Sequence, residues 1–362
     1  MIEPERINVT KVFLPNQNEY QEILKKSWNK NWMTNRGDLV KELEAKITSR
    51  FHIPYMIATT NGTLPIQISL KTLGLTGEII TTPFSYVATT SSIVWEGLIP
   101  VFVDIEENTF TIDPRKIEEK ITKKTSAILA THVFGNPCDV EAIEQIAKKH
   151  NLKVIYDAAH SFGVTYKDKS IFNYGDVSTC SFHATKIFHT AEGGAIFTKD
   201  EALYKKLYYH HNFGHDGPEH FQGIGINAKM SELQAAMGLT IWPYLDTILN
   251  RRKLLFKVYQ DFLDKQLVFQ TIREHTNYNY SYIPVVFESE EQLLKVQEVL
   301  NMHHVFPRRY FYPSLNKLPY VKYQNMPISE KISERIMCLP LYHDLSENQI
   351  KMICDLINKN LN

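Results

Sequence analysis

The chain has 362 residues, 43% of them hydrophobic and 22% charged, enough to bury one large core with or without a smaller satellite domain. Forty Lys and Arg balance forty Asp and Glu, so the chain as a whole has no excess positive charge that would attract nucleic acid or anionic lipid. A small or locally charged ligand is favoured. Four scattered cysteines suit a reducing compartment, and no stretch approaches the ~18 apolar residues of a membrane span, so we expect a cytoplasmic protein without nucleic-acid or membrane partners.

Short apolar runs alternate with helix-like segments between residues 54 and 200. This alternation favours a mostly parallel sheet with crossover helices, which is an α/β domain. The predicted strands are Met56–Thr59, Glu78–Thr81, Val101–Asp104, Ser126–Thr131, Lys153–Tyr156, Val177–Phe182 and Gly194–Thr198. The predicted helices are Leu64–Leu73, Val87–Glu96, Pro114–Lys123 and Val140–His150.

A long helical stretch begins near Met230, and we expect a kink near Pro243 because proline cannot donate the helical hydrogen bond. A second, smaller α/β unit follows. It is predicted to contain a strand at Ser281–Val286, a helix at Glu291–Leu300, a loop at Pro307–Pro313 and a last helix at Glu347–Ile357. We therefore expect a large domain over residues 1–240 and a small C-terminal domain over residues 241–362, packed closely.

Two motifs follow predicted strands and suit a bound ligand. Thr60-Asn-Gly-Thr63 lies between a strand and a helix, where free backbone N–H groups and the helix dipole favour a phosphate. Tyr156-Asp-Ala-Ala-His160 places an acid and a histidine beyond a strand's carboxyl end, where ligands bind in open α/β sheets. Read alone, the first motif is equally a turn with a threonine cap, and Asp157 is equally a helix N-cap.

A third motif, Ser181-Phe-His-Ala-Thr-Lys186, leaves a β-rich run and is followed by Glu192-Gly-Gly-Ala195. The glycines permit a tight turn beside a bound group, so the lysine would be partly enclosed. Burial lowers the pKa of a lysine, and a neutral amine can condense with an aldehyde. A lysine in this position is otherwise a surface charge.

Together these motifs resemble the DegT/StrS family of nucleotide-sugar aminotransferases, a branch of the fold-type I enzymes that use pyridoxal 5′-phosphate (PLP). The matching segments, which span the first two-thirds of the chain, are NGT at 61–63, TTPFSYVAT at 81–89, PVFVDI at 100–105, HVFGNPCD at 132–139, YDAAHSFG at 156–163, SFHATK at 181–186, EGGAI at 192–196 and NAKMSELQAA at 227–236. The resemblance implies a large PLP-binding domain and a homodimer with shared active sites.

The resemblance also implies roles for single residues. Lys186 would bind PLP as a Schiff base and move the proton during transfer, and Asp157 would keep the pyridine nitrogen protonated. His160 would lie near the ring's 3-oxygen and Tyr86 against the cofactor face. The phosphate would be held by Gly62, Thr63 and Ser181, and by Asn227 of the neighbouring subunit.

Substrate contacts are implied at two places. Pro307-Arg-Arg-Tyr310 resembles the segment that lies along the nucleotide or sugar, so Arg308, Arg309 and Tyr310 are candidates. Arginine suits a diphosphate because its planar fork donates two hydrogen bonds. Thr34 resembles a residue at the active-site mouth. The arginines can equally be solvated, and the segment around Thr34 can equally be only the start of a helix.

The resemblance implies transfer from L-glutamate to a nucleotide-linked keto sugar. Glu192 before the paired glycines is typical of enzymes acting at C4, and the combined motifs most resemble enzymes that form dTDP-4-amino-4,6-dideoxyglucose. A 3-keto or UDP-linked substrate and a non-catalytic regulatory protein remain alternatives. The presence of lysine at position 186 argues against sugar dehydration, because the related enzyme that catalyses it has histidine in place of the Schiff-base lysine. The product would serve a surface polysaccharide such as lipopolysaccharide O-antigen, or a glycosylated natural product.

One local departure from the family pattern is His210-His-Asn-Phe-Gly214, followed by His215. Many relatives have Arg-Asn-His-Gly at this place, so we carry over no role. A metal site is disfavoured because the spacing does not put three histidines on one helical face and no cysteine or acidic cluster accompanies them. We expect surface or substrate-side histidines and no metal.

Overall fold

A computed structural model describes residues 6–361, so the outermost positions of the two predicted domains, residues 1–5 and 362, lie outside the described part. The helices are α1 Gln17–Lys30, α2 Asp38–Phe51, α3 Leu64–Thr72, α4 Val87–Trp95, α5 Val140–His150, α6 Glu201–His211, α7 Glu232–Ile241, α8 Leu245–Phe262, α9 Glu290–Met302, α10 Pro327–Arg335 and α11 Glu347–Asn358. The strands are β1 Ile7–Asn8, β2 Tyr55–Thr59, β3 Glu78–Thr81, β4 Ile99–Phe102, β5 Thr125–Thr131, β6 Lys153–Asp157, β7 Thr165–Tyr166, β8 Lys169–Ser170, β9 Val177–Ser181, β10 Gly194–Thr198, β11 Val268–Phe269, β12 Thr276–Asn277, β13 Pro284–Val286, β14 Val305–Phe306 and β15 Ile336–Cys338. Within this part, no helix is both long and apolar enough to span a bilayer.

The central sheet has seven strands in the order β2-β10-β9-β6-β5-β3-β4. All neighbours are parallel except β10, which is antiparallel to both β2 and β9. The apolar run Ala127–Ala130 of β5 is fully buried, as expected for a strand covered by helices on both faces. The predicted α/β fold with a mostly parallel sheet is confirmed.

The register of the sheet brings the predicted site residues to one edge. Thr131 at the end of β5 pairs with Asp157 at the end of β6, and Asp157 pairs with Thr179 of β9. Ser181 ends β9 and pairs with Gly194, which begins β10. The acid, the lysine loop and the glycine pair therefore lie beyond the same edge of the sheet.

One predicted helix is wrong. Residues 114–123 form two short 3-10 turns, Pro114–Lys116 and Glu118–Lys120, instead of an α-helix. The Asp113 carboxylate caps the first turn by accepting from the Arg115 amide. Pro114 and Ile117 are the buried residues of this segment, and Ile121 packs only partly against the core, so few apolar contacts would stabilise a longer helix.

The long helical stretch after Met230 is interrupted as predicted. Helix α7 ends at Ile241, a 3-10 turn covers Trp242–Tyr244, and α8 runs from Leu245. Pro243 lies in that turn, where its missing N–H removes a helical hydrogen bond. The two helices can therefore pack against different parts of the protein.

A separate apolar cluster forms the core of the C-terminal part. It contains Leu255 and Tyr259 of α8, and Ile350 and Ile353 of α11. Ile7 joins this cluster because β1 pairs in parallel with β14. The N-terminal strand thus packs with the C-terminal part, and the division at residues 240 and 241 stays a prediction.

Helix α2 is capped by a distant acid. Its N-cap residue Gly37 has no side chain to accept the first N–H groups. The buried Glu232 carboxylate accepts instead from the amides of Leu39 (2.9 Å) and Val40 (3.1 Å), and from the Ser27 hydroxyl (2.8 Å). A Cβ at Gly37 would lie 2.6 Å from Cδ of Glu232, so glycine is required for this approach.

Candidate active site

A cavity of about 350 Å³ opens beyond the carboxyl ends of the central strands. Eight of the predicted site residues line it: Gly62, Thr63, Tyr86, Asp157, His160, Ser181, Lys186 and Tyr310. They come from five separate segments of the chain, four of which lie at or after the ends of central strands, while the fifth, with Tyr310, follows β14. The structure therefore gathers most of the predicted constellation in one place.

Asp157 is a buried carboxylate with two defined partners. Its side chain is held by the Thr89 hydroxyl at 2.6 Å and by the Ala159 amide at 3.1 Å. Burial raises the pKa of this carboxyl, and the two hydrogen bonds and the Lys186 charge only partly oppose that effect. A cationic partner inside the cavity would stabilise the ionised form.

A chain of hydroxyl groups fixes the orientation of Thr89. The Thr131 hydroxyl donates to Ser85 at 3.0 Å, and Ser85 and Thr89 share a hydrogen bond of 2.8 Å. All three residues are buried. Sequence reasoning missed this support, although Ser85 and Thr89 lie within a quoted motif, because hydroxyl-bearing residues in an apolar helix carry no periodic signal.

His160 is buried and neutral. Its Nδ1 accepts the backbone N–H of Phe134 at 3.1 Å, which assigns the ring proton to Nε2. Burial holds the pKa of this imidazole well below its usual value, and the nearby Lys186 acts in the same direction. The ring stacks on Phe311 at a centroid distance of 5.6 Å, so its plane is fixed as well.

Lys186 projects into the cavity from the loop that follows β9. A turn closed by the Lys186 amide and the His183 carbonyl at 2.9 Å shapes this loop. The Lys186 Nζ donates to the Tyr282 hydroxyl at 3.1 Å. Tyr282 belongs to the C-terminal part of the chain, and sequence reasoning did not assign it to the site.

Gly62 and Ser181 meet closely at the cavity wall. A Cβ at Gly62 would lie 2.6 Å from Cβ and 2.8 Å from Oγ of Ser181, so only glycine fits here. The Thr63 amide, expected to hold a phosphate, instead donates to Oδ1 of Asn61 at 2.9 Å. An anion bound to that amide would have to displace the Asn61 side chain.

The residues of this cavity fit PLP. Three features of the cavity match three groups of the cofactor. The buried acid Asp157 suits the pyridine nitrogen, and the Lys186 amine suits the aldehyde. The turn at Gly62 before α3, where only glycine fits, suits the phosphate. Within residues 6–361 no ion pair to the buried Asp157 carboxylate is formed, and a protonated pyridine would supply a cationic partner.

A second cavity of about 780 Å³ adjoins the first and shares Tyr86 and Tyr310 with it. Arg308 and Arg309 both line it, together with Arg6. Arg308 is exposed, whereas the guanidinium of Arg309 donates to the Glu290 carboxylate (2.5 Å) and to a backbone carbonyl. Arg308 is therefore the freer of the two predicted substrate contacts.

Two predicted residues do not reach the cavity within one chain. Thr34 is exposed on the bend before α2, and Asn227 is exposed and accepts a hydrogen bond from Lys229. Neither residue lines the first or the second cavity. The contacts expected of these two residues are therefore not formed within one chain.

The histidines of the local departure lie apart from the cavity. His210 hydrogen bonds to Thr72 at 2.8 Å, and His211 is buried with its Nδ1 bonded to the Tyr208 carbonyl. His215 packs against Phe221. Across residues 6–361, no three His, Cys, Asp or Glu side chains are grouped to hold a metal ion.

Comparison with known proteins tests the resemblance. The DegT/DnrJ/EryC1/StrS aminotransferase family model matches residues 15–358. The chain is 37% identical to the dTDP-4-amino-4,6-dideoxy-D-glucose transaminase of Escherichia coli, covering 97% of this chain and 98% of that protein. It is 39% identical to the transaminase of the same name from Shigella dysenteriae, covering 98% of each.

A solved structure agrees with these sequence matches. The crystal structure of DesI in the presence of its TDP-sugar product superposes with a TM-score of 0.94 at 30% identity, covering 99% of this chain and 93% of that one. The predicted family and fold are confirmed. Since the family model spans nearly the whole chain, this protein belongs to the DegT/DnrJ/EryC1/StrS aminotransferase family.

Proposed function

We propose that the protein uses PLP to transfer the amino group of L-glutamate to C4 of dTDP-4-keto-6-deoxyglucose, giving dTDP-4-amino-4,6-dideoxyglucose. The observation that carries this proposal is the meeting of Lys186 and the buried Asp157 in one cavity of a family aminotransferase. Two relatives that share over a third of their residues with this chain bear the name of that transaminase.

PLP, when bound, supplies an electron sink that allows a proton to leave the carbon next to nitrogen. Asp157 would hold its charge against the pyridine nitrogen and keep that nitrogen protonated. The raised pKa of Asp157 means that this carboxylate gains more from a cationic neighbour than an exposed acid would. Thr89 and the Ala159 amide keep the carboxylate in place for this task.

Lys186 would accept and return the proton that each half of the exchange requires. It is the lysine that lines the first cavity. His160 would donate its Nε2–H to the ring's 3-oxygen, because its Nδ1 is already bonded to the Phe134 amide. Tyr86, 57% exposed at the cavity mouth, would cover one face of the cofactor ring.

The second cavity would take the nucleotide. It adjoins the first cavity, so a sugar at Lys186 leaves its diphosphate pointing toward Arg308 and Arg6. A guanidinium group donates two parallel hydrogen bonds to phosphate oxygens. Arg309 would support this wall through its ion pair with Glu290, and Tyr310 would border the sugar.

We propose further that two copies of the chain share their sites. Asn227 and Thr34 would reach the phosphate and the mouth of the neighbouring site. In support, the segment before Asn227 exposes large apolar side chains, namely Phe213 (49%), Phe221 (63%), Ile224 (76%) and Ile226 (41%). Apolar patches of this kind are typical of interfaces.

We propose that the reaction takes place in the cytoplasm and that its product serves a polysaccharide such as O-antigen. The four cysteines are free and buried, which is consistent with a reducing compartment.

The test is the visible absorption spectrum of the purified, PLP-loaded protein. L-glutamate should bleach the band of the lysine-bound cofactor, and dTDP-4-keto-6-deoxyglucose should restore it, whereas the UDP-linked counterpart should not. Lys186→Ala is the matched control and should show no such cycle. If no band forms with added PLP, a regulatory binding role replaces the enzyme; restoration by the UDP sugar alone would correct the nucleotide.

The shared site has its own test. Lys186→Ala and Asn227→Ala proteins should each be impaired, and a mixture of the two should regain activity because a hybrid dimer contains one intact site. Lack of recovery in a mixture that has exchanged subunits would refute the contribution of Asn227.

A further inference from the structure

Tyr282 is a buried tyrosine whose hydroxyl hydrogen bonds directly to Lys186 in the candidate active site. It is 7% exposed, it lines the cavity, and its hydroxyl accepts from Lys186 Nζ at 3.1 Å. Its ring meets His160 edge-on at 5.1 Å and Tyr310 edge-on at 5.9 Å. The hydroxyl is therefore aimed at the amine by packing on two sides.

The backbone that carries Tyr282 is anchored to the segment that carries the acid. Asn279 Nδ2 donates to the carbonyls of His160 and Phe162, both at 2.9 Å. The Ser281 hydroxyl donates to the same His160 carbonyl at 2.6 Å. These hydrogen bonds tie the backbone beside Tyr282 to the loop that follows β6.

A buried arginine holds the same backbone from the other side. Arg252 of α8 is 6% exposed, and its guanidinium donates to the carbonyls of Tyr280 (2.9 Å) and Ser281. Burial lowers the pKa of this arginine to about 10, because its charged form loses contact with water. The two carbonyl hydrogen bonds partly offset the cost of burying this charge, and they fix the backbone just before Tyr282.

Lys186 needs this kind of fixed partner. A lysine side chain has a flexible four-carbon stem and an ammonium group with three N–H donors, so an amine without a fixed hydrogen-bond partner samples many positions. Proton transfer requires the amine within about 3 to 3.5 Å of the reacting atom. A phenol oxygen both accepts from an ammonium group and donates to a neutral amine, so it can hold the lysine in either state.

We propose that Tyr282 is a positioning residue that holds the Lys186 amine in line for proton transfer whenever that amine is free. The inference rests on the proposed aminotransferase function and adds to it a residue from the C-terminal part of the chain. Removal of the Tyr282 hydroxyl should slow the amino-group transfer without weakening the binding of the cofactor or the sugar nucleotide.

The experiment compares full-length, PLP-loaded wild type with Tyr282→Phe. The rate at which L-glutamate bleaches the lysine-bound cofactor should fall about tenfold, the effect of losing one hydrogen bond in the transition state. The amount of bound PLP and the KM for the keto sugar should stay unchanged. Tyr278→Phe is the matched control, because its hydroxyl bonds the Phe134 carbonyl at 2.9 Å from the same segment but does not line the cavity.

Each outcome decides a different point. If wild type itself is not bleached by glutamate, the proposed function fails, whatever Tyr282 does. If wild type turns over and Tyr282→Phe matches it, or if Tyr278→Phe is slowed equally, the positioning role is refuted. Incorporation of 3-fluorotyrosine at position 282 keeps the shape of the ring, and the rate should follow the altered acidity of the hydroxyl; an unchanged rate would again overturn the inference.

Discussion

Replacing Gly62 by alanine should push apart the two segments that flank the expected phosphate position. The added Cβ would lie 2.6 Å from Cβ, 2.8 Å from Oγ and 3.0 Å from Cα of Ser181. Ordinary carbon contacts begin near 3.5 Å, so the turn after β2 must move by roughly 0.5 to 1 Å from β9. Overpacking of this size costs about 1–3 kcal/mol. The backbone of Gly62 is not in the left-handed region, so contact alone causes the loss.

Urea denaturation of the apoprotein measures this cost directly, without any contribution from the cofactor. Ser181→Gly removes Cβ and Oγ, so the cost of Gly62→Ala should be smaller in that background, with a coupling of about 0.5–3 kcal/mol between the two sites. Titration of PLP should separately show weaker binding in Gly62→Ala, by about tenfold for each 1.4 kcal/mol. Equal costs in both backgrounds would show that the predicted contact is absent.

The remaining predictions concern three other side chains. Asp157→Asn should keep PLP bound but lower kcat at least about tenfold, measured by coupled assay of 2-oxoglutarate; an unchanged rate would remove Asp157 from the pyridine nitrogen. Gln234→Met removes donors to the carbonyls of Thr60 (3.0 Å) and Glu192 (2.7 Å) and should cost about 2 kcal/mol in urea denaturation. Burial lowers the pKa of His132 to about 3, so only the unfolded state takes up this proton between about pH 6.5 and 3. The contribution of His132 to the unfolding free energy should fall by about 1.4 kcal/mol per pH unit as the pH drops there, so His132→Asn should make the pH dependence of stability less steep.

The predicted residues that line the first cavity share one property, with Tyr310 as the exception: each lies at or shortly after the end of a strand of the central sheet. Parallel strands deliver their carboxyl ends to one edge, so Asp157 and Lys186 could be brought together from pattern alone. Tyr282 lacks that property. It lies 96 positions after Lys186, in a stretch that showed only an apolar run, and tertiary packing alone aims its hydroxyl.

Helix α1 was not predicted, and the start of α2 was only an alternative interpretation of the segment around Thr34, for a related reason. Helix α1 buries only Ser27 fully, and its short apolar stripe of Tyr20, Ile23 and Leu24 is only partly buried against the core, so the signal is weak. Helix α2 does bury Leu39, Leu43 and Ile47, but its N-terminus lacks a local capping residue. The cap comes from Glu232, which is 193 positions from Leu39 along the chain, and no local pattern contains such a partner.

The pairing of β1 with β14 has a consequence for the order in which the molecule is completed. Ile7 pairs with Val305, so the first described strand can find its partner only after about 300 further residues have been synthesised. Arg6 stacks on Phe306 at 3.8 Å and lines the second cavity, and Asn8 lines it too. The wall of the proposed nucleotide cleft is thus closed late, so a growing or truncated chain can contain the lysine loop in full and still lack the surface that would admit its sugar nucleotide.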